Sequence, residues 1–319
     1  MAESAKSPST IGDTVVFGFG PQGRAQAMNL GESGVPVSVS IRPESPRAPS
    51  VREAGIDLIP NPSQAARGAT NAALLIPDSE QPGFYRKHLH ENLPEGAALI
   101  FAHGFAVHYG RITPRPDIDV ILVAPLAHGD ALREGFEKRS GVPCVLAVAQ
   151  DVTGRAWERA SEYAQAIAGD GPTIRSTFAE EVETDLFAEQ AVLCGGMPEL
   201  VRASFDTLVE GGYNPDIAYF SCLRELKAIV NLLLADSIAG MRSRISDTAR
   251  YGSATRGKRI IDDTVRTELK RVLEEIRSGE FASELIADEK RGFTKLADVL
   301  EKDADHEIER VHKKHSEKT

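Results

Sequence analysis

Residues 14–34, TVVFGFGPQGRAQAMNLGESG, decide the fold of the N-terminal half. A short β-branched run leads into the hexapeptide GFGPQG, and a helix-forming segment follows directly. This is the GxGxxG pattern between a strand and a helix, in which the glycines permit a tight turn and close approach of a ligand to the backbone. The N–H groups at the helix N-terminus favour a pyrophosphate. We predict a dinucleotide-binding turn; the alternative is a glycine-rich turn with a purely structural role. The predicted contacts are Gly18, Phe19, Gly20, Pro21, Gln22 and Gly23.

The end of the second predicted strand indicates which nicotinamide cofactor is preferred. Sites for NAD usually place Asp or Glu there, but this chain reads SVSIRPESPR. Arg42 and Arg47, with Ser45 between them, are suited to a 2′-phosphate through charge-assisted hydrogen bonds. We therefore predict NADP(H). The alternative is a pair of arginines on a solvated loop, and Glu44 is an unfavourable neighbour for a phosphate.

The distribution of apolar runs predicts two domains. Between Asp13 and Ala149, β-branched runs alternate with helical stretches, as expected for a parallel sheet with crossover helices: TVVFGFG, VPVSVSI, AALLIP, AALIFAHGF, DVILVAP and PCVLAVA. A further helix (151–168) and a strand-like segment, GDGPTIRSTF, complete this part, and long helical patterns follow from Phe178. We predict an α/β N-terminal Rossmann domain and an all-α C-terminal domain. The predicted boundaries are a disordered N-terminus over 1–11, an NADP-binding domain over 12–177, a helical metal, substrate and dimerisation domain over 178–300, and a charged tail over 301–319.

Composition excludes several classes of protein. A net charge of −10 and a pI near 5.4 argue against binding to a phosphate backbone, so no nucleic-acid partner is expected. The sequence lacks an apolar run of about 18 residues and an apolar N-terminal segment, so neither a membrane span nor a signal peptide is predicted. We expect a cytoplasmic protein. Cys144, Cys194 and Cys222 are too few and too scattered for a disulfide framework, and we expect them to be reduced and buried.

Carboxylates in the helical half predict a metal site. In EEVETDLFAEQAVLCGG, Asp185 and Glu189 are four residues apart and share one helical face beside apolar side chains. Glu225 lies in similar apolar company on a later helix. Oxygen ligands of this kind suit Mg²⁺, which often takes one or two protein carboxylates and keeps several waters. The alternative is a solvated acidic face without a metal.

Together these segments resemble class I ketol-acid reductoisomerase, the acetohydroxyacid isomeroreductase of branched-chain amino-acid biosynthesis. The resemblance covers nearly the whole chain and includes GFGPQGRAQAMNL, IRPESPR, FAHGFAVHYG, EEVETDLFAEQAVLCGG, GGYNPDIAYF and ISDTARYG. It implies the knotted helical domain of that family and a homodimer whose subunits share the active site. It also implies a Mg²⁺-dependent alkyl migration in a 2-hydroxy-3-keto acid, followed by reduction with NADPH.

The resemblance also implies roles for individual residues. Asp185 and Glu189 would bind the metal, with Glu225 contributed by the partner subunit. Ser246 would hold the substrate carboxylate, and His103 would lie near the nicotinamide as an acid, a base or an orienting group. The alternative for His103 is a structural role at a strand end. Further cofactor contacts are expected at Pro77, Asp78, Gln81 and His103, and further substrate contacts at Ser221, Arg224 and Glu225.

Four residues depart from the family pattern. The family segment VAPKGPGH is VAPLAHGD here, so that Leu126 replaces the lysine and Asp130 replaces the histidine. YFECLHELK is YFSCLRELK, which puts Ser221 in place of a metal-binding glutamate and Arg224 in place of a histidine. Losing a carboxylate and a nearby lysine removes charges that the metal cage needs. We expect one Mg²⁺ site and a weak or absent second site.

These departures leave three hypotheses about function. The first is an NADPH-dependent reductase of a small C=O or C=N substrate with an impaired isomerase step, since alkyl migration needs both substrate oxygens polarised whereas hydride transfer needs one activated acceptor. The second is an authentic ketol-acid reductoisomerase, converting 2-acetolactate to 2,3-dihydroxyisovalerate, in which His128 or Asp130 replaces the missing groups. The third is a non-catalytic cofactor-binding protein. In each case Arg224 either anchors a substrate carboxylate or pairs with an acidic neighbour.

Overall fold

The computed structural model describes residues 11–316, so most of the N-terminus that we predicted to be disordered lies outside the described residues. The chain divides into two compact units, the first ending at Val182 and the second beginning at Glu183. The predicted α/β N-terminal part and helical C-terminal part are confirmed. Among the described helices, none combines the length and the apolar character that crossing a bilayer requires.

An eight-stranded sheet forms the centre of the first unit. Its strands are β1 (Thr14–Phe17), β2 (Val37–Ser40), β3 (Asp57–Leu58), β4 (Asn71–Leu74), β5 (Ala98–Phe101), β6 (Asp119–Pro125), β7 (Cys144–Gln150) and β8 (Thr173–Arg175). The strand order is β3-β2-β1-β4-β5-β6-β7-β8. The crossover from β3 back past β1 to β4 reverses the direction in which strands are added. In open α/β sheets, such a switch point forms a crevice at the carboxyl ends of the strands.

Helices cover both faces of this sheet. They are α1 (Pro21–Glu32), α2 (Ala48–Glu53), α3 (Pro62–Arg67), α4 (Gln81–Phe84) with a π-helical continuation π1 (Tyr85–Leu89), α5 (Phe105–His108), α6 (Gly129–Glu137) and α7 (Ala156–Ala168). Side chains of a strand alternate between two cores, as its period of two requires. Val16 packs in the core that contains Ala25 and Ala160, whereas Phe17 packs in the core on the opposite face with Tyr85.

The direction of β7 corrects the predicted all-parallel sheet. β7 pairs with β6 in the antiparallel direction, with Pro125 opposite Cys144, whereas β8 returns to the parallel direction beside β7. The connection through α6 returns the chain to the edge of the sheet where β6 ends, and β7 begins at that edge.

The second unit is helical. Helix α8 (Phe178–Ala188) leads into it and continues as π2 (Glu189–Leu193); the later elements are α9 (Gly196–Glu210), α10 (Pro215–Tyr219) with π3 (Phe220–Arg224), α11 (Leu226–Arg244), α12 (Asp247–Ile260), α13 (Asp263–Arg277), α14 (Glu280–Lys290), α15 (Thr294–Ala304) and α16 (Glu307–Ser316). Its small core contains Phe205, Tyr219 and Ile308. Helices α11 and α12 contain no buried residue, and α11 is kinked at Ser237.

The charged tail contains a helix that packs on one face. Ile308 and Val311 are buried on that face of α16. Its polar side pairs Lys314 and His315 with Asp216, and these contacts lower the pKa of the Asp216 carboxyl.

The cysteines differ from one another in burial. Cys144 is buried, and burial raises the pKa of its thiol to about 12, so that it stays protonated at neutral pH. Cys194 is exposed and Cys222 is half-buried, which corrects the expectation that all three are buried. Both of these belong to the second unit, whose core is small. None of the three is paired with another in residues 11–316.

Candidate active site

The turn between β1 and α1 depends on its glycines. Gly18 has a φ of +106°, and a Cβ there would lie 2.6 Å from the Leu75 carbonyl oxygen. A Cβ on Gly23 would lie 2.5 Å from the Gly18 carbonyl oxygen. By contrast, nothing lies within 4 Å of the Cβ position of Gly20, so the backbone at the start of α1 is open to a ligand. A pyrophosphate fits this open backbone at a helix N-terminus.

The strands β1, β4, β5 and β6 are parallel, so the segments that follow them meet at one edge of the sheet. The predicted cofactor residues Pro77 and Asp78 follow β4 there, and Gln81 begins α4. The Gln81 side-chain amide donates to the Ile76 carbonyl (3.1 Å) and to Asp78 Oδ1 (2.9 Å). Its Oε1 is buried and accepts no hydrogen bond from the described residues, so it has acceptor capacity for a ligand donor.

The IRPESPR loop brings its polar groups into two consecutive turns. The Ser45 N–H donates to the Arg42 carbonyl (3.0 Å), and the Arg47 N–H donates to Ser45 Oγ (3.3 Å). Both arginines are exposed, and neither forms an ion pair within residues 11–316. Two unneutralised guanidinium groups beside a hydroxyl suit a 2′-phosphate.

His103, which follows β5, contacts a carboxylate that our sequence reasoning did not select. Its Nδ1 lies 3.4 Å from Oε1 of Glu181, a residue of α8 that is 6% exposed. The Gly104 N–H donates to the other Glu181 oxygen, also over 3.4 Å. A buried carboxylate on one ring nitrogen orients an imidazole and selects its tautomer.

A close approach of α8 to this strand end makes the pair possible. A Cβ on Gly104 would lie 2.8 Å from the Phe178 ring and 2.9 Å from a Val182 methyl. The missing side chain therefore lets the first turns of α8 pack against the segment after β5. The sequence contained one signal of Glu181: it precedes Asp185 by the same four residues that separate Asp185 from Glu189.

A set of three side chains can hold a cation. His103, Glu181 and Asp185 each offer a ligand atom, and these atoms lie within 4.8 Å of one another. Asp185 follows Glu181 by one turn of the continuous helix α8. Among the described residues, neither Glu189 nor Glu225 joins this group. Carboxylate oxygens suit a hard divalent cation, and an imidazole widens the choice to transition metals.

The other predicted metal and substrate residues lie on π-helical segments, which occur often at functional sites. Glu189 is the first residue of π2, which ends at Leu193; Gly196 begins α9, and a Cβ there would lie 2.1 Å from the Ala191 carbonyl oxygen. Ser221 and Arg224 lie on π3, followed directly by Glu225. The side chains of these three residues are exposed.

The remaining predicted residues begin helices or strand-end loops. Ser246 is the N-cap of α12, where its Oγ accepts a hydrogen bond from the Ala249 N–H (3.3 Å). Leu126 follows β6 and is 55% exposed. His128 caps α6 and Asp130 lies in its first turn, both exposed at the same edge of the sheet as His103.

Two family models match the chain. Residues 12–172 match the NADPH-binding domain of acetohydroxy acid isomeroreductase, and residues 178–318 match the C-terminal domain of ketol-acid reductoisomerase. Between them they account for almost the whole chain, and each agrees with one of the two structural units.

Solved structures agree with these matches. An NADH-preferring ketol-acid reductoisomerase from an uncultured archean is 38% identical, with a TM-score of 0.92 over 96% of this chain and 94% of that one. A semialdehyde dehydrogenase NAD-binding protein from Cupriavidus necator is 18% identical, with a TM-score of 0.64 over 84% of this chain and 99% of that one. A pyrroline carboxylate reductase from Plasmodium falciparum is 11% identical, with a TM-score of 0.54 over 85% and 99%. The last two show likeness of fold alone.

Proposed function

The chain belongs to the ketol-acid reductoisomerase family and is an NADP-dependent oxidoreductase, and from this premise we propose that it reduces a small C=O or C=N substrate without efficient alkyl migration. The proposal has two parts. The reductase part follows from a dinucleotide turn with the required glycines and from His103 beside a buried carboxylate. The impaired isomerase part follows from the residues at positions 126 and 221.

Leu126 carries the second part of the proposal. An aliphatic side chain that is 55% exposed occupies the position after β6 where the family pattern has a lysine. It can neither donate a proton nor neutralise an oxyanion, whereas a lysine does both. Ser221 likewise replaces a carboxylate on π3 with a neutral hydroxyl. Alkyl migration, which requires two polarised oxygens on adjacent carbons, is more sensitive to both losses than hydride transfer to one carbon.

In the reduction, NADPH supplies the hydride that the substrate carbon accepts. The oxygen or nitrogen of the reduced double bond then needs a proton, and we assign its donation to the His103 imidazole. Glu181 stabilises the protonated ring and fixes its orientation from the other side of the site. Arg42, Ser45 and Arg47 bind the 2′-phosphate and so select NADPH.

We propose that Asp185 and Glu189 bind one Mg²⁺, with Glu225 provided by a second copy of the chain. A bound Mg²⁺ would polarise the substrate carbonyl as a Lewis acid. Glu225 is not among the three side chains grouped around Asp185 within residues 11–316, and the proposal therefore assigns it to the second copy. The absent carboxylate at Ser221 makes a second metal weak.

A homodimer would complete this site. No residue of α11 or α12 is buried, although α11 contains Leu234 at 82% exposure and Ile238 at 63%. Contiguous exposed apolar surface of this kind marks an interface. We therefore propose that these two helices pack against a second copy of the chain.

An authentic ketol-acid reductoisomerase is the second candidate function. His128 and Asp130 are exposed at the same sheet edge as Leu126, within a few residues of the missing lysine. They would have to supply the proton and the charge that Leu126 lacks. This alternative predicts full activity on 2-acetolactate.

The deciding experiment follows NADPH absorbance with Mg²⁺ and two substrates in parallel. We expect oxidation with 3-hydroxy-2-ketoisovalerate, which is already isomerised, and little with 2-acetolactate. Equal oxidation with both would establish the authentic enzyme and contradict the proposal. Oxidation with neither would require a panel of other carbonyl and imine substrates. If none of these substrates leads to NADPH oxidation, a non-catalytic cofactor-binding protein is favoured.

A gain-of-function variant sharpens this test. The double variant Leu126→Lys/Ser221→Glu restores the family charges, so we expect it to raise 2-acetolactate turnover at least about tenfold, equivalent to about 1.4 kcal/mol of transition-state stabilisation. Val152→Lys is the matched control, because it adds a lysine at another exposed apolar position, 47% accessible, of the first unit. No gain in the double variant would show that positions 126 and 221 do not explain the loss of migration.

A further inference from the structure

A chain of three side-chain hydrogen bonds crosses the first unit from α7 to the loop after β6. The Tyr163 hydroxyl donates to Gln26 Oε1 (2.9 Å), Gln26 Nε2 donates to Gln22 Oε1 (3.1 Å), and Gln22 Nε2 donates to the Ala127 carbonyl (2.8 Å). The first two residues are almost fully buried, at 1% exposure each. Gln22 lies in the first turn of α1, within the dinucleotide-binding turn.

Each bond in this chain has a defined direction. Burial raises the pKa of the Tyr163 hydroxyl, so it remains protonated and serves as a donor. The Ala127 carbonyl at the other end can only accept. Both glutamine amides are therefore held in one orientation, and rotating either one would place like atoms against each other. These hydrogen bonds therefore connect α7 to the loop after β6 with one fixed arrangement of donors and acceptors.

A second contact joins the same two segments. Gly129, the first residue of α6, packs directly on the dinucleotide turn, since a Cβ there would lie 2.2 Å from the Pro21 carbonyl oxygen. The segment 126–128, which we call the β6–α6 loop, is thus attached to the turn on both sides: Gln22 binds its middle residue, and Gly129 follows its end. This loop also presents Leu126 at the sheet edge.

We propose that Gln22 and Gln26 are positioning residues that tie the β6–α6 loop to the dinucleotide turn, so that cofactor binding orders the loop that faces the substrate. The inference rests on the proposed function only in placing the pyrophosphate at the start of α1. When the phosphate oxygens hold the backbone N–H groups of the turn, Gln22 and Pro21 become less mobile, and the loop attached to them does as well. Leu126 then has one position relative to the nicotinamide.

The test measures hydrogen–deuterium exchange of a peptide covering residues 126–132, with and without NADPH. Gln22→Met removes the donor at similar size, and we expect about tenfold faster exchange of this peptide in the cofactor-free protein. NADPH should protect the peptide in the wild type and protect it less in the variant. Tyr163→Phe removes the other end of the chain at a distance from the cofactor turn and should shift exchange in the same direction. Gln165→Met, an exposed glutamine on α7, is the matched control.

Steady-state kinetics distinguish positioning from a general loss of structure. Gln22→Met should lower kcat for reduction about tenfold while the KM for NADPH changes less than about threefold. If residues 126–132 exchange at the wild-type rate in both variants without cofactor, Gln22 and Gln26 do not hold the β6–α6 loop. NADPH binding that leaves the loop unprotected in the wild type would overturn the coupling alone. If the wild type does not bind NADPH at all, both the proposed function and the coupling are wrong. The exchange measured without cofactor still tests whether Gln22 and Gln26 hold the β6–α6 loop.

Discussion

The His103–Glu181 pair is the most informative arrangement at the scale of single residues. The imidazole follows β5, and the carboxylate comes from a helix that starts 75 residues later. A carboxylate that is 6% exposed is costly to bury unless hydrogen-bond donors such as the Gly104 N–H are kept. We expect the pair to hold the imidazole in one orientation and to place a negative charge beside it.

Replacing this carboxylate tests its role. We expect Glu181→Gln to lower kcat about ten- to hundredfold, because the amide orients the ring but no longer stabilises its protonated form. The neighbouring Glu180→Gln, whose side chain is exposed and accepts from Ser176 Oγ, should leave kcat unchanged. Steady-state NADPH oxidation on the best substrate measures both. Equal losses in the two variants would mean that Glu181 has no special relation to His103.

We also expect single residues to decide the choice of cofactor. Arg42→Ala combined with Arg47→Ala should raise the KM for NADPH by at least about a hundredfold, since each of two charge-assisted hydrogen bonds to the 2′-phosphate contributes about 1.5 kcal/mol or more. The KM for NADH should stay within about twofold, because NADH has no phosphate there. Arg52→Ala on α2 is the control. If the KM values for NADH and NADPH rise by the same factor, the two arginines do not recognise the 2′-phosphate.

At the scale of elements, π-helical segments distinguish the second unit. An extra residue in a helical turn changes the direction in which later side chains point. Both π2 and π3 carry predicted metal or substrate residues. Glycines allow π2 to end, since Cβ atoms at Gly195 and Gly196 would each lie 2.1 Å from a carbonyl oxygen of the preceding turn.

Gly196→Ala should therefore be destabilising, by about 2 kcal/mol or more, because either the carbonyl or the helix start has to move. Gly83→Ala is the matched control: it also lies in a helix, its Cβ position has no neighbour within 4 Å, and alanine should stabilise it by up to about 1 kcal/mol. Urea unfolding midpoints of the two variants and the wild type measure the difference. If Gly196→Ala leaves the urea unfolding midpoint unchanged, π2 does not need this glycine.

The C-terminal helix shows how an element is decided by packing. Its composition is densely charged, and the sequence predicted only a charged tail there. In the structure, Ile308 and Val311, three positions apart, pack with Phe205 and Tyr219 in the core of the second unit. His312 Nδ1 lies 2.8 Å from the Tyr219 hydroxyl and adds a polar contact. Tyr219 directly precedes π3, so α16 supports the segment that carries Ser221 and Arg224.

At the scale of the whole molecule, the exposed apolar side chains of α11 support the proposal of a second copy of the chain. In a monomer, Leu234→Glu should leave mass and turnover nearly unchanged, because this side chain is 82% exposed. In the proposed dimer it buries an unpaired charge at the interface, so we expect a monomer and loss of turnover. Light scattering coupled to size exclusion measures the mass.

Val152→Glu is the control for this substitution, as an exposed apolar residue of the first unit at 47% exposure. It should leave both mass and turnover unchanged. A wild-type protein that is monomeric and fully active would contradict the proposal that Glu225 acts from a second copy. A dimer that survives Leu234→Glu would place the interface away from α11.

The sequence by itself determined the features that depend on local chemistry. GFGPQG specifies its turn because only glycine accepts the φ of +106° at Gly18 and the backbone contact at Gly23. The alternation of β-branched runs and helices specifies the two domains, since side-chain periodicity is a property of each segment alone. The IRPESPR loop indicates the cofactor because charge and hydrogen-bond capacity belong to individual residues.

Only the tertiary structure decided the features that join distant segments. Glu181 was one of several acidic residues in EEVETD until α8 packed against Gly104 and directed it to His103. The antiparallel direction of β7 is seen only in its pairing with β6, and the burial of α16 only in its packing with Phe205 and Tyr219. The hydrogen bonds that connect Tyr163 to Ala127 could not be predicted from the sequence, because the partners of side chains are set by contacts across the fold.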